Sequence, residues 1–375
     1  MAASLWLSEP HEAFRTRPLR GAPDVEIVGG GVTGCSCALT LARAGKRVRL
    51  HEARQVASGA SGRNGGFALR GGAMAYDAAR EWLGVDRARE LWQLTEAYVD
   101  RMEELAGDAL RRTGSLRLAA EDEERNELRQ ELEALREDGF AVEWRDELPQ
   151  PLGSSFAGAL LHPRDALLQP ARLVRRLAAA AAEAGAEIRE GSRIASLDEL
   201  GAPVVVVATD GYPSGLLGEL EGLIIPTRGQ MLATEPLRER LFELPHYGRH
   251  GFDYWHQDCD GRIVVGGFRD VDLESEFTAT EETTVSVQGA LEAFVERLVG
   301  KRPRIEHRWA GIFGLVPDLM PVVGELPGRD GAWVVGGYSG HGNVLGFMFG
   351  DLAAKAILGE RHPLLEATDV GRLLA

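Results

Sequence analysis

Three glycines and one carboxylate set the first chemical expectation. Gly29, Gly31 and Gly34 form a G-x-G-x-x-G pattern, and Glu52 follows it at the end of the next apolar run. Gly29 allows a tight turn, Gly31 lets the backbone approach a pyrophosphate, and Gly34 permits close packing of a helix on the preceding strand. The N–H groups of Gly30, Val32 and Thr33, at the positive end of that helix, suit phosphate. Glu52, followed by Ala53, can accept hydrogen bonds from a ribose diol, and its charge disfavours a 2′-phosphorylated nucleotide. The elements that must hold these residues are legible around them. Val25 to Val28 is a buried-strand candidate, Cys35 to Ala44 is helical and stops at Gly45, and Arg47 to Leu50 is a second strand. A plain strand–turn–helix uses glycines too, so the strand, helix and acid together carry the dinucleotide reading. FAD and NAD both fit it.

A second cluster is the loop S-G-A-S-G-R-N-G-G-F from Ser58 to Phe67. Ser58, Gly59, Ser61, Gly62, Gly65 and Gly66 let the backbone lie against a flat, phosphate-bearing ligand. Arg63 can neutralise phosphate or stabilise a reduced, anionic flavin, with Asn64 beside it. A flexible surface loop is the plainer alternative. A third cluster is W-V-V-G-G-Y-S-G-H-G-N, Trp333 to Asn343, leading into an apolar helix. Gly340, His341, Gly342, Asn343 and Val344 stand at that helix entry, a place for partial negative charge such as the N1/O2 edge of a flavin. His341 adds a positive charge or a donor there, or only stabilises a turn. A fourth signal is the buried strand V-V-V-A-T-D-G-Y, which ends in Ala208, Thr209 and Asp210, while Ile194 closes the strand candidate before it.

The chain's 375 residues suit two domains. With 42 basic and 57 acidic residues, the net charge of −15 disfavours nucleic acid and anionic membrane surfaces as partners. It is compatible with a cationic substrate. No apolar run reaches the roughly 20 residues of a membrane span, and the N-terminal segment lacks the basic and apolar regions of a secretory signal. The three cysteines offer neither a disulfide framework nor metal spacing, so no metal and a reducing cytoplasm are expected. Helices are expected over residues 76–112, 121–137 (a solvated amphipathic one), 171–184, 283–299 and 342–358, with β-type alternation over 223–234 and 252–267. Trp82, Leu83, Leu91, Leu94, Tyr98 and Leu105 read as core of the first of these helices. Dinucleotide elements recur near residues 25–66, 188–211 and 333–358, with inserts between them. That interleaving favours a two-domain flavoprotein over a NAD dehydrogenase.

Taken together, I-V-G-G-G-V-T-G, G-A-S-G-R-N-G-G-F, P-T-R-G-Q-M-L-A-T (Pro226 to Thr234), W-A-G-I-F-G-L-V-P-D-L-M-P-V-V-G-E-L-P and G-G-Y-S-G-H-G-N-V-L-G-F-M-F-G resemble the D-amino-acid oxidase and glycine oxidase superfamily of FAD-dependent oxidoreductases, most of all its gamma-glutamylputrescine oxidase branch. The resemblance implies an α/β fold: a discontinuous Rossmann-like FAD domain (24–75, 155–222 and 306–375) and a substrate domain with an antiparallel sheet and helices (76–154 and 223–305), after an N-terminal arm, 1–23. It also implies oxidation of an amine by hydride transfer to flavin N5, giving an imine that water hydrolyses. The expected partners are a small amine substrate and dioxygen or another electron acceptor.

Three departures refine this expectation. Alpha-amino-acid oxidases of the superfamily place an arginine shortly after Trp-Ala-Gly, where it pairs with the substrate carboxylate; here that position is Phe313. An amine without an adjacent carboxylate therefore fits better than glycine or a D-amino acid, which stay as the alternative. An FAD-dependent amine dehydrogenase using a non-oxygen acceptor, or a flavin-binding protein without activity, also stays open. No cysteine follows Cys259, which points to noncovalent FAD. The link from Ile194 to Pro203 is shorter than the β-meander usual in relatives. Tyr254 and Trp255 are adjacent on a strand and face opposite ways, so one can line the pocket while the other packs in the core. Tyr254, His341 and Arg63 are the candidate catalytic residues.

Overall fold

The computed structural model describes residues 4–14, 16–212 and 215–374; parts of the expected N-terminal arm, residues 1–3 and 15, lie outside them. The runs at 25–28, 48–51 and 204–207 are largely buried strands of one sheet. Its six strands run in the order Val322–Glu325, Ala332–Gly336, Val204–Val207, Val25–Val28, Val48–His51, Glu187–Arg189. All neighbours are parallel except the first pair. Nearly continuous apolar strands are what a parallel sheet covered on both faces requires.

A second sheet of eight strands is built from the inserts and is mostly antiparallel, with one parallel pair, His246–Gly248 against Ser115–Leu118. Its longest ladder joins Ile225–Thr234 to Ile305–Leu315. Two segment limits differ from the sequence expectation. Ala159–His162 and Ile305–Leu315 begin stretches assigned to the FAD domain, yet both pair in this sheet, because their antiparallel partners Ser115–Leu118 and Ile225–Thr234 lie in the inserts. The architecture is thus a mixed α/β fold with a parallel sheet and an insert-built antiparallel sheet. No helix among the described residues is long and apolar enough to cross a membrane.

Close approach of backbones sets the geometry of the nucleotide sheet. The helix Val32–Arg43 starts inside the glycine motif, three residues earlier than expected. A Cβ at Gly34 would lie 2.0 Å from the Gly29 carbonyl oxygen, so only glycine lets the helix seat on its strand. The last long helix, Gly342–Ile357, crosses the first equally closely: a Cβ at Gly350 would meet the Thr33 carbonyl oxygen at 2.4 Å. Ser36 donates across that contact to the Phe347 carbonyl at 2.7 Å. Cys35 and Cys37 are fully buried packing residues of the first helix. The short link after Ile194 is a capped turn, Ser196 to Glu199, and its Gly201 and Ala202 N–H groups donate to the buried Glu26 carboxylate at 2.8 and 3.0 Å.

Elsewhere the charge pattern misleads. The helix Asp122–Glu137 buries Leu128, Leu132 and Leu135 as expected, but it also buries Glu131. That carboxylate holds the Arg117 guanidinium at 2.8 Å and accepts from the Tyr76 N–H at 3.2 Å. The expected helix 76–112 is two helices, Tyr76–Leu83 and Val85–Ala106, broken at Gly84 with its φ of +82°, and a strand, Leu110–Arg112. Trp82, expected in the core, is 47% exposed: the short helix that carries it buries Tyr76 and Ala79 instead.

Gly34→Ala puts a methyl group into the Gly29 carbonyl. It should lower the unfolding free energy by about 1–3 kcal/mol and weaken flavin retention, as read by thermal unfolding and visible absorbance. Unchanged stability and flavin content would show that the helix can slide without cost.

Candidate functional site

A cavity of about 620 Å³ is lined by residues of both sheets. Its walls come from segments as far apart in sequence as Val28 and Val344. The motif residues Gly29, Gly30, Gly31, Val32 and Thr33 line one end with Glu52, Ala53, Ile194, Ala208, Thr209 and Asp210. Gly59, Ser61, Arg63, Asn64 and Gly65 line the middle, and Gly340, His341, Gly342, Asn343 and Val344 the far side. Four of the expected contact residues serve packing instead. A Cβ at Gly34, Gly62 or Gly66 would strike the carbonyl oxygen of Gly29, Ala57 or Leu168, and Ser58 offers its carbonyl to Arg63 Nε at 2.8 Å.

At the motif end, Glu52 is held by backbone. Its Oε2 accepts from the Gly30 N–H and its Oε1 from the Arg54 N–H, each at 2.8 Å. Burial pushes its carboxyl pKa up, against the pull of these N–H groups and of Arg54. Both oxygens keep lone pairs free for a diol. Ser61 Oγ accepts from the Val32 N–H at 3.0 Å, which ties the glycine-rich loop to the helix N-terminus.

Arg63 is buried, and three groups fix it. Nε donates to the Ser58 carbonyl, Nη1 to the Ala310 carbonyl at 3.1 Å, and Nη2 lies 3.4 Å from Glu281. Glu281 was not foreseen from sequence. It comes from the segment before the helix Val285–Val299, accepts both Arg54 guanidinium nitrogens at 2.7 and 3.0 Å, and accepts the Tyr212 hydroxyl at 2.6 Å. Burial alone would raise its pKa; Arg54, Tyr212 and Arg63 outweigh that and hold it below the usual carboxylate range. Asn64 and Asn343 exchange side-chain hydrogen bonds at 2.9 and 3.0 Å, joining the loop to the entry of the last helix. From the N-terminal arm, Trp6 Nε1 donates to the Asn64 carbonyl at 2.7 Å, and Ser4 to the Gly62 carbonyl at 2.6 Å.

The far end is aromatic. Trp255 is fully buried in the core, while Tyr254 lines the cavity, so the strand alternation divides them as their adjacency requires. A Cβ at Gly229 would touch both the Tyr254 hydroxyl, at 3.7 Å, and the Phe313 ring, at 3.8 Å. Tyr247 stacks on Tyr254 with ring centroids 6.5 Å apart and faces His341 at 6.0 Å. Burial pushes the Tyr254 phenol up to about 12. Burial first, then Arg117 and Arg269, push His341 down to about 4. His341 is therefore a neutral imidazole, not the positive charge the sequence allowed. Its buried Nδ1 has no partner among the described residues. Tyr247, Arg269 and Glu281 carry no local motif, and Tyr212 closes the V-V-V-A-T-D-G-Y segment without having been singled out. Only the alternation around Tyr247 and Tyr254 could have pointed to one of them.

These residues fit a dinucleotide with a planar ring at its end. The glycine turn offers N–H groups to phosphates, Glu52 faces the motif end, and the aromatic end presents an unpartnered imidazole nitrogen beside a helix N-terminus. Comparison with known proteins agrees with this fit. The family model described as FAD dependent oxidoreductase matches residues 24–356. The chain is 30% identical to "Probable oxidoreductase OrdL" of Rhizobium meliloti, over 94% of this chain and 86% of that one. It is 29% identical to the gamma-glutamylputrescine oxidoreductase of Escherichia coli, over 90% and 84% of the two chains. Its fold matches the crystal structure of glycine oxidase from Geobacillus kaustophilus with a TM-score of 0.78 at 24% identity, covering 94% of this chain and 99% of that one.

The buried histidines give a pH test with a definite sign. Burial pushes His341 and His256 down to about 4 and His246 to about 3. An unfolded imidazole, near 6.5, binds protons in a range where these folded ones do not. Stability should hold above about pH 6.5 and fall as the pH drops from there towards 4. Melting temperatures across that range should show the fall, and His341→Asn should shallow it; an identical profile for the variant would mean that His341 titrates normally.

Proposed function

This chain belongs to the family of FAD-dependent oxidoreductases, and within it we propose an amine oxidation whose substrate has no carboxylate on the reacting carbon. The family relation makes it an FAD-dependent oxidoreductase acting on amines or amino acids. The observation that supports the narrower reading is Phe313. Its ring lies on the cavity wall near the Tyr254 hydroxyl, and the Gly340 turn stands beside it. A carboxylate set against that ring would lack the bidentate partner that is worth on the order of 2–5 kcal/mol in a dry site. An amine of the gamma-glutamylputrescine kind keeps its carboxylate away from the carbon to be oxidised. The resemblance to gamma-glutamylputrescine oxidoreductase supports the same class; 4-methylaminobutanoate oxidase of Paenarthrobacter nicotinovorans, 25% identical over 99% of this chain, is another relative named for an amine.

Bound FAD would supply the two-electron acceptor for C–N oxidation. Gly31, Thr33 and Glu52 would hold its nucleotide end, and Arg63 and Asn64 the middle. The chain's own contribution is placement and electrostatics. Tyr254 and Tyr247 present neutral phenols and His341 a neutral imidazole, so the aromatic end can hydrogen-bond an amine without adding a proton to it. Phe313 and Phe67 close two walls with apolar surface. The free amine, the form with an electron pair to give, is favoured where water is scarce and no carboxylate faces it.

An anaerobic screen of amines against the holoenzyme should bleach the flavin with gamma-glutamylputrescine or a related amine and leave it yellow with glycine and D-alanine. Phe313→Arg should raise kcat/KM for glycine by about tenfold or more, the restored ion pair being worth at least 1.4 kcal/mol. Efficient glycine turnover by the unaltered protein would overturn the reading. Peroxide formed in air, compared with the rate on an artificial acceptor, decides between dioxygen and another acceptor. The three cysteines stand outside the cavity lining, so the flavin is expected to be noncovalent, and acid precipitation should leave all yellow colour in the supernatant.

A further inference from the structure

We propose that Arg269 receives an anionic group of the substrate, so that the amine oxidised by this protein also carries a carboxylate. The inference rests on the amine-oxidation reading and names the substrate class more closely. Arg269 follows the strand Ile263–Gly267, where Phe268 turns the chain through a left-handed conformation (φ +57°) and brings the arginine onto the cavity wall. The guanidinium has two contacts: the Gly251 carbonyl at 3.5 Å and the face of Phe252 at 4.3 Å. Among the described residues it has no ion-pair partner.

The other arginines near the cavity differ. Arg54 and Arg63 share Glu281, and Arg117 is held by Glu131. Arg193 is exposed beside Ser192, at the motif end. Arg269 alone is half-buried, unpaired and among the aromatic residues. The Gly251 carbonyl that it approaches belongs to a glycine whose Cβ would fall 2.0 Å from the Tyr247 hydroxyl. Guanidinium and phenol therefore flank one point of the wall. Tyr247 in turn faces His341 and stacks on Tyr254. The acids of the cavity, Glu52, Asp210 and Glu281, are bound to the nucleotide-binding segments by the contacts described above or to the turns behind Phe313. With His341 neutral, the aromatic end carries one uncompensated positive charge. An entering carboxylate meets five guanidinium donors, of which only one is engaged, and a phenol beside them. Phe313 keeps that carboxylate from its own stretch of wall, so the anion and the reacting carbon occupy different places.

The test uses the flavin's visible spectrum in the holoenzyme, titrated with propionate and glutarate and with their uncharged amides, propionamide and glutaramide. The carboxylates should perturb the spectrum saturably and bind about tenfold or more tightly than the amides. Arg269→Met should raise the carboxylate Kd by about tenfold or more and leave the amide Kd unchanged, and Arg269→Lys should recover part of the loss. Flavin content and melting temperature check that each variant is folded. Carboxylates that bind no better than amides, or a carboxylate Kd within about twofold of the parent in Arg269→Met, would overturn the proposal. If amines still bleach the flavin in that case, amine oxidation stands and only the role of Arg269 falls. If carboxylate binding depends on Arg269 but no amine bleaches the flavin, amine oxidation falls instead.

Discussion

The turn at Asp210 is the constraint on which the cavity depends. Its carboxylate accepts the Gly314 N–H at 3.0 Å and the Gly337 N–H at 2.8 Å, thereby joining a strand of the antiparallel sheet to the end of a strand of the parallel one. Next to it, a Cβ at Gly211 would lie 2.3 Å from the Phe313 carbonyl carbon. No side chain separates the turn from that strand. Asp210 itself holds a positive φ of +50°, an unusual conformation for a residue with a Cβ but one that aspartate tolerates better than most. Burial pushes its pKa up, while the N–H groups it accepts favour the charged form. The outcome is a fixed distance between the wall that carries Phe313 and the glycine-rich entry to the last helix. Every other feature of the aromatic end is set relative to those two.

Charge is divided along the cavity. Near the motif the acids are satisfied locally: Glu52 by two backbone N–H groups, Glu281 by two arginines and a phenol. Towards the aromatic end the titratable groups are held neutral by burial, and the formal charge there is a guanidinium. Such a gradient orients a ligand with unlike ends before any specific contact forms. It also explains why the net charge of −15 says little about the substrate. The acidic excess lies elsewhere on the molecule, and a pocket is governed by the few groups that face it.

How much of this was legible in the sequence depended on where each signal sits along the chain. Local geometry was legible. Gly29, Gly31 and Gly34 must be small for the turn and for helix packing, and their spacing announces it. Asn64 and Asn343 could be named as site residues from their loops, but not their mutual pairing, which spans 279 positions. Glu281 and Arg269 were invisible, since a lone acid or arginine in a charged segment has no periodicity or motif to distinguish it. Glu131 shows the same limit in reverse: it stands in a helix dense with charge, and only the tertiary partner Arg117 explains its burial. Gly62 and Gly66 were legible as necessary glycines but not as packing residues, because close approach to a ligand and close approach to another backbone select the same residue.

The contact between the first and last long helices has a consequence for the cavity. Gly350 sits against Thr33, and Asn343 completes the loop around Asn64, so the nucleotide-binding end is unfinished until the segment near residue 350 has packed. The Ser36–Phe347 hydrogen bond within this contact spans 311 positions. The two helices therefore depend on each other for their seat, and disorder in either one reaches the wall of the cavity.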